Sequence, residues 1–568
     1  MNMNRRAFLS LSSISPWASL LPAYAQSPAP DARELRADVV VVGASIGGCA
    51  AALAAARAGC NVILTEETDW IGGQLTSQAV PPDEHPWIEE RGCTKLYRQF
   101  RDGVRRYYRT HYPLTAAAKG IKNFNPGSGT VSKLCHEPRV ALAALLELLV
   151  PFISNGRIHL LQPHRLESVE VHKDRIAVVR VKNLRTDNIT VLNAPYYVDG
   201  TELGDLLALG KVEHVTGAEA RKTTGEPHAK EIAEPLNHQA FTWCFAMSHH
   251  EGEDHTIAKP AEYGFWSEYI PKMKPAWPGK LLSWEMSQYN DPSKVRKVDF
   301  QPAAAAAPGK LNLWTYRRIV DRKHWHDLQP ADVCLVNWPQ NDYWLGNLFG
   351  EKAQEHTQRG KQLSLSLLYW MQTAAPRDDG KTGWKGLKLR PDLVGTDDGL
   401  AMAPYVRESR RILSEFTITE NHVGTEARMK QTGKKLGEVT AESFPDTVGI
   451  GSYRIDLHPS SGGDNYIDVS SLPFQIPLGS LIPQRIENLL PACKNLGTTH
   501  ITNGCYRLHP VEWNIGESVG ALIAYCLAKK EPPRAIRRNE KLLKDYQAEL
   551  VKAGVELEWP AAIAKIAR

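Results

Sequence analysis

Asp38-Val-Val-Val-Val-Gly43-Ala-Ser45-Ile-Gly47-Gly48, followed by an alanine-rich run and then Val62-Ile-Leu-Thr-Glu66, decides the fold of this chain. It reads as strand, glycine turn, helix and second strand. Four consecutive valines are β-branched and apolar on both faces, as a strand buried in a parallel sheet requires. Gly43 permits the tight turn, and Gly48 lets the helix pack closely on the sheet. The helix start offers unpaired N–H groups and a partial positive charge to a pyrophosphate, and Glu66 stands where an acidic residue hydrogen-bonds ribose hydroxyls. Ser45 replaces the middle glycine of G-x-G-x-x-G; it is small enough for a phosphate to approach, and its hydroxyl can donate. The stretch predicts dinucleotide binding, with a βαβ unit that holds no ligand as the plainer alternative.

The chain has 568 residues, more than one simple core accommodates, which predicts two or more lobes. At 42% hydrophobic and 23% charged it has the composition of a soluble globular protein. A formal charge of +5 with no concentrated basic patch points to neither a nucleic-acid partner nor a polybasic membrane surface. Beyond the first 25 residues no run of about 18 apolar residues predicts a stable membrane span.

The first residues read as a separate object. Asn4-Arg5-Arg6-Ala7-Phe8-Leu9, a short apolar segment and Ala23-Tyr24-Ala25 form the charged region, apolar region and A-x-A cleavage site of a signal peptide over 1–25, joined by a linker over 26–35. The paired arginines resemble a twin-arginine signal, which exports folded proteins and would place the chain in the periplasm or outside the cell, with the twin-arginine machinery as a partner. An N-terminal amphipathic helix is the alternative. Nine scattered cysteines without any C-x-x-C give zinc, iron–sulfur and thioredoxin-like chemistry no support, so no metal is expected. A disulfide stays open, with no pair chosen.

Along the chain, Trp70-Ile-Gly72-Gly73-Gln74-Leu-Thr76 is a glycine-pair loop able to fold over a phosphate–ribose unit. Residues 97–109 read as an amphipathic surface helix, and 137–150 as a helix with Pro138 in its first turn. Alternating segments at 158–161, 166–171, 176–181 and 189–192 read as a β-meander. The strand Tyr196-Tyr-Val-Asp199 ends in Gly200-Thr201-Glu202-Leu-Gly204-Asp205, a second turn of the kind that contacts a cofactor. Ten of the fifteen tryptophans fall between Trp243 and Trp384, where no βαβ rhythm or second glycine fingerprint occurs. This stretch reads as an inserted substrate domain whose tryptophans either fill a core or form a stacking platform for a sugar or aromatic substrate. The alanine run from Pro302 to Gly309 reads as a surface loop. Asn488-Leu-Leu-Pro-Ala-Cys-Lys-Asn-Leu-Gly497 is a short buried strand and turn. A small-residue helix around Gly516 follows, with Asn514 as its N-cap. The tail after Lys530 reads as a charged surface helix.

The order of these motifs resembles the secreted FAD-dependent oxidoreductase family, whose FAD domain is related to the succinate dehydrogenase and fumarate reductase flavoproteins. The resemblance rests on the fingerprint with Glu66, the Trp-Ile-Gly-Gly-Gln-Leu-Thr loop, Asp-Gly-Thr-Glu-Leu-Gly-Asp-Leu-Leu and His509-Pro-Val-Glu-Trp-Asn-Ile-Gly-Glu, and runs from about residue 36 to 530. It implies an α/β fold: a Rossmann-like FAD-binding domain over 36–205 and 441–530 with a β-meander, an inserted α+β substrate or cap domain over 206–440, and a helical tail over 531–568. It implies FAD with Gly43, Ser45, Gly47 and Gly48 at the pyrophosphate and Glu66 at the adenosine ribose. Gly72, Gly73, Gln74 and Thr76 would line the ribityl–phosphate side, Asp199, Gly200 and Thr201 the second turn, and Asn514, Ile515 and Gly516 the flavin's pyrimidine edge, where a helix dipole stabilises the reduced ring.

Flavin chemistry places a substrate C–H over N5 and often uses a base for the accompanying proton. His509 is the candidate base, Glu512 its orienting partner and Arg507 an anchor for substrate or flavin; the alternative is an Arg507–Glu512 structural pair beside a buried histidine. Secondary candidates are the 337–343 and 404–411 segments, where Arg407, Arg410 and Arg411 form either a carboxylate clamp or a solvated helix face, and the pair Asp456 and His458. The function expected is a dehydrogenase or oxidase acting on an unidentified small organic substrate, with a sugar or other hydroxyl compound among the candidates. Against it stand an exported FAD-binding electron relay and an NAD-dependent dehydrogenase. The electron acceptor is not legible.

Overall fold

The computed structural model describes residues 33–302, 310–326 and 331–568. The expected signal peptide, most of its linker and the alanine run lie outside the described residues.

The first lobe is built on a five-stranded, all-parallel sheet in the spatial order Leu489–Pro491, Tyr196–Asp199, Val39–Val42, Val62–Thr65, Ile158–Leu161. The four valines form its central strand, buried on both faces as their composition requires. The fingerprint helix Ile46–Arg57 follows; its alanines favour helix and leave a thin, almost wholly buried cylinder. That thinness lets a second helix, His509–Lys529, lie backbone to backbone upon it. A Cβ placed on Gly516 would sit 1.9 Å from the Gly47 carbonyl oxygen, and one on Gly520 2.2 Å from that of Ala51.

Three expectations about this lobe need correction. Ile158–Leu161 belongs to the parallel sheet, beside Val62–Thr65, and not to the meander. The meander is His164–His172, Arg175–Asn183 and Ile189–Asn193, with Arg33–Arg36 paired parallel to its last strand. The last helix begins at His509, with Leu508 as N-cap and Pro510 in the first turn, so Asn514 is no cap. Its side chain instead reaches the Ile450 N–H, the Val448 carbonyl and Ser518.

The helix Lys95–His111 is less ordinary than its surface reading. Arg101 and Arg105 point inward, where Glu84 and Glu89 pair with Arg101 and Glu89 with Arg105. Pro138–Ser154 starts at Pro138 as expected and extends past residue 150. The tail is helical at Pro533–Arg538 and Glu540–Ala553, but it packs Ile536, Tyr546, Leu550 and Val555 into the main core. All nine cysteines are buried and free.

The second lobe is centred on a four-stranded antiparallel sheet, Arg318–Val320, Val333–Val336, Phe245–His249 and Leu387–Leu389 in spatial order, with the long helix Ala353–Thr373. Its core draws on residues between Ala240 and Leu400 together with Tyr466, a narrower stretch than 206–440. Eight of the ten clustered tryptophans are buried in it, which favours the core-filling reading over a stacking platform. Arg407 and Arg411 lie buried in an extended segment, paired with Asp342 and with Glu219 and Glu408, so they form neither a solvated helix face nor a free carboxylate clamp. Among the described residues no helix is long and apolar enough to cross a membrane.

Candidate active site

A cavity of about 390 Å³ opens beyond the carboxyl ends of the central strands, the place where open parallel sheets bind ligands. Gly43, Ser45, Glu66, Gly73, Gly200 and Thr201 line it, joined from the other lobe by Leu348, Ala403, Pro404 and Val406. The space exists because the turns carry no side chains. Gly43 has φ +90°, and a Cβ there would meet the Gly200 carbonyl carbon at 2.6 Å; one on Gly73 would meet a Glu202 carboxyl oxygen at 2.4 Å.

The polar groups around the cavity are held in place by the chain itself. Ser45 caps the fingerprint helix, its hydroxyl oxygen accepting from the Gly48 N–H at 3.1 Å while its proton remains available to a ligand. The Gly47 N–H donates to Glu512 at 3.3 Å. The two fingerprint amides expected at a pyrophosphate are thus already engaged. Glu66 accepts from the Ala44 N–H at 3.1 Å and from the Thr68 N–H at 2.8 Å, and burial pushes its carboxyl up to about 8. Asp199 is fully buried and accepts from both the N–H and the hydroxyl of Thr201; burial raises it to about 7. Gly72 shapes the loop with φ +108°, and Thr76 donates to the Ile71 carbonyl. These two residues, with Asp199, support the wall rather than line it.

Behind the wall Gln74 donates to the Arg507 carbonyl at 3.1 Å and to Glu512 at 2.5 Å. Glu512 also receives Lys494, at 3.5 Å, and Lys494 contacts Glu202 on its other side. Glu512 is therefore not the partner of His509, and it does not pair with Arg507. Asn514, Ile515 and Gly516 lie in the second turn of their helix, fully buried between the helices and away from the cavity lining.

His509 and Arg507 belong to a second cluster. The Asp83 N–H donates to His509 Nδ1 at 3.0 Å, which leaves the neutral ring's proton on Nε2, a buried atom with no partner. Burial lowers the His509 pKa to about 3. In that tautomer the imidazole offers a proton and does not take one, a different arrangement from the base expected of it. Arg507 donates to the Tyr405 hydroxyl at 3.0 Å and pairs with Asp456 at 3.4 Å, its Nε buried and unpartnered. Arg317 pairs with Asp83 at 3.3 Å, and this outweighs burial to hold Asp83 below the usual carboxylate range. His458 pairs with Asp342 beneath Arg407.

Sequence reading passed over Asp83 and Arg317, quoted Lys494 and Glu202 without giving them a role, and held Tyr405 only as part of the secondary 404–411 segment. Glu202 carried a signal in its strand-end turn, and Tyr405 in the mix of polar and aromatic residues around it. The others gain importance from segments that meet in space.

The cavity suits an extended dinucleotide in its glycine-cleared turns and in its donors, Ser45, Arg165 and Arg410. A family model described as FAD dependent oxidoreductase matches residues 38–550. No curated protein matches the chain. Among solved structures it is similar to L-proline dehydrogenase from P. horikoshii at 14% identity, over 35% of this chain and 28% of that one, with a TM-score of 0.17. Glycerol-3-phosphate dehydrogenase from Bacillus halodurans, complexed with FAD, matches at 14% identity over 38% and 40%, with a TM-score of 0.23. OxyS anhydrotetracycline hydroxylase from Streptomyces rimosus matches at 12% over 92% and 67%, with a TM-score of 0.28. The match spans less than half the length of each of the first two. On the family match, which spans nearly the whole chain, this protein belongs to the FAD dependent oxidoreductase family.

Proposed function

We propose that the chain is an exported oxidoreductase that binds FAD in the strand-end cavity and oxidises a small organic substrate, a sugar or other hydroxyl compound. The observation that carries this reading is the cavity itself, walled by the glycine turns at Gly43, Gly73 and Gly200 and closed by the tryptophan lobe at Pro404 and Val406. When bound, the flavin supplies a two-electron acceptor for a hydride from carbon.

The chain's own residues bind, orient and shield. Ser45 is the hydroxyl donor for the phosphates, with Arg165 and Arg410 as charged donors, and Glu66 faces the adenosine end. Gly47, Gly48, Gly72, Gln74, Thr76 and Asp199 fix the wall, while Asn514, Ile515 and Gly516 hold the last helix against the fingerprint helix. At the far side Arg507 orients Tyr405, and His509 serves as a neutral Nε2–H donor. The two lobes close around this cluster and exclude water from it, which strengthens every polar contact inside. The twin-arginine signal over residues 1–25 supports export after folding, to the periplasm or beyond, with the twin-arginine machinery as a transient partner. The electron acceptor is a separate partner.

Two tests address this reading. Purified protein should be yellow, absorbing near about 450 nm as oxidised flavin does; colourless protein that binds NAD instead would replace this reading with an NAD-dependent dehydrogenase. Anaerobic mixing with a panel of alcohols, sugars, amines and acids should bleach the colour with at least one class. Bleaching by none would favour the electron relay.

A further inference from the structure

Lys494 is fully buried, and four chain segments that are far apart in sequence converge on it. Its ammonium contacts Glu202 from the strand-end turn, Glu512 from the last helix at 3.5 Å and the Cys493 sulfur at 3.4 Å. Through Glu512 it reaches the Gly47 N–H of the fingerprint helix and Gln74 of the glycine-pair loop. The two carboxylates differ in their surroundings. Glu512 is inaccessible to solvent and accepts from Gly47, Gln74 and Lys494. Glu202 is 20% exposed and lines the cavity, and Lys494 is its one strong donor. With both ionised, the trio carries one negative charge more than Lys494 cancels, at the wall of a cavity read as the seat of an anionic diphosphate.

From this the geometry points to a charge latch. Lys494 bridges Glu202 and Glu512 and, through Glu512, ties the last helix to the fingerprint helix and the glycine-pair loop, while Glu202, the arm that lines the cavity, takes up one proton when FAD binds. Lys494 and Glu202 are positioning residues in this account, and it rests on the reading of the cavity as the FAD site. Burial already raises Glu202, with Lys494 opposing and Glu512 reinforcing. An entering diphosphate adds negative charge and shifts it further the same way. The other titratable or charged groups near this wall are Cys493, Glu66, Glu67, His164, Asp199, Asp205, Arg165 and Arg410. Because Glu66 and Asp199 are themselves raised, the diagnostic quantity is a difference between variants and not the wild-type pH profile alone.

The test is calorimetric titration of the full-length, flavin-depleted protein with FAD, in two buffers of different ionisation enthalpy, at about neutral pH. Wild type should take up about one more proton per FAD than Glu202→Gln, a variant that keeps the shape of the side chain. A second pair tests the latch from the other side. Lys494→Met should weaken FAD binding at least about tenfold, and adding Glu202→Gln should restore part of the loss, the coupling expected of contacting charges. Equal proton counts with intact binding, or a double variant no better than Lys494→Met, overturn the latch and leave the cavity reading standing. A folded wild type that binds no FAD overturns both.

Discussion

The cofactor-facing core meets one cavity at Gly43 and Ser45, and the tryptophan core meets it at Leu348, with Pro404 and Val406 from the segment that follows that core in sequence. Around the fingerprint, packing depends on missing atoms. Gly47 leaves room for the Ala492 carbonyl, whose oxygen would lie 1.5 Å from an added Cβ, and Gly516 leaves room for the Gly47 carbonyl. In the tryptophan core, packing depends on large side chains: Trp266, Trp314 and Trp338 are all within 2% of complete burial. The first core brings backbone close to backbone and so shapes strand-end turns at which a ligand can be met. The second supplies mass behind a wall. Damage to either should therefore look different.

The largest effect expected is in the tryptophan core. Trp314→Ala removes a side chain 1% exposed and should cost about 3–5 kcal/mol of stability in denaturant unfolding. FAD affinity in the surviving folded protein should stay within about twofold, since Trp314 does not line the cavity. If FAD affinity collapses with it, the two cores are not separable. Gly516→Ala adds a single methyl group to the other core and should cost about 1–3 kcal/mol by overpacking. FAD affinity should fall alongside, because the helix pair carries the fingerprint turn. Unchanged binding in Gly516→Ala would sever the link between helix packing and cavity shape.

What could be read from the sequence divides along the same line. Val39 to Val42, the Gly43 turn and the Pro138 helix start were legible because periodicity, glycine and proline act within a few residues. Ile158–Leu161 was misassigned to the meander because a four-residue strand carries too little pattern to tell one sheet from another. The cap at Asn514 was misplaced because the real helix start, Leu508 followed by His509 and Pro510, has no capping side chain to announce it. Lys494 follows a short buried strand, but nothing local gives it a carboxylate partner; its contacts with Glu202 and Glu512 come from other segments of the chain. The Gln74–Glu512 contact spans 438 residues and leaves no local trace.

A third difference is charge. The cofactor-facing core buries Glu66, whose carboxyl in the folded chain is raised to about 8 by burial. The folded state thus holds a proton that the unfolded chain releases near its ordinary value, so stability falls as pH rises from the carboxylate range toward about 8. Glu66→Gln should flatten that slope by up to about 1.4 kcal/mol per pH unit in flavin-depleted protein. An unchanged slope would mean that Glu66 is already ionised in the fold. The smallest effect expected is at the helix cap. Ser45→Ala loses the bond to the Gly48 N–H and should cost about 1 kcal/mol in thermal or urea unfolding.

The central claim is that FAD occupies the cavity between these cores. Hydrogen–deuterium exchange of the flavin-depleted chain, with and without FAD, tests it most directly. The account predicts slowed exchange at residues 43–48, 66–78 and 200–205, with the interior of the tryptophan core unchanged. FAD binding that protects the tryptophan core and leaves those three segments exchanging as before would contradict it.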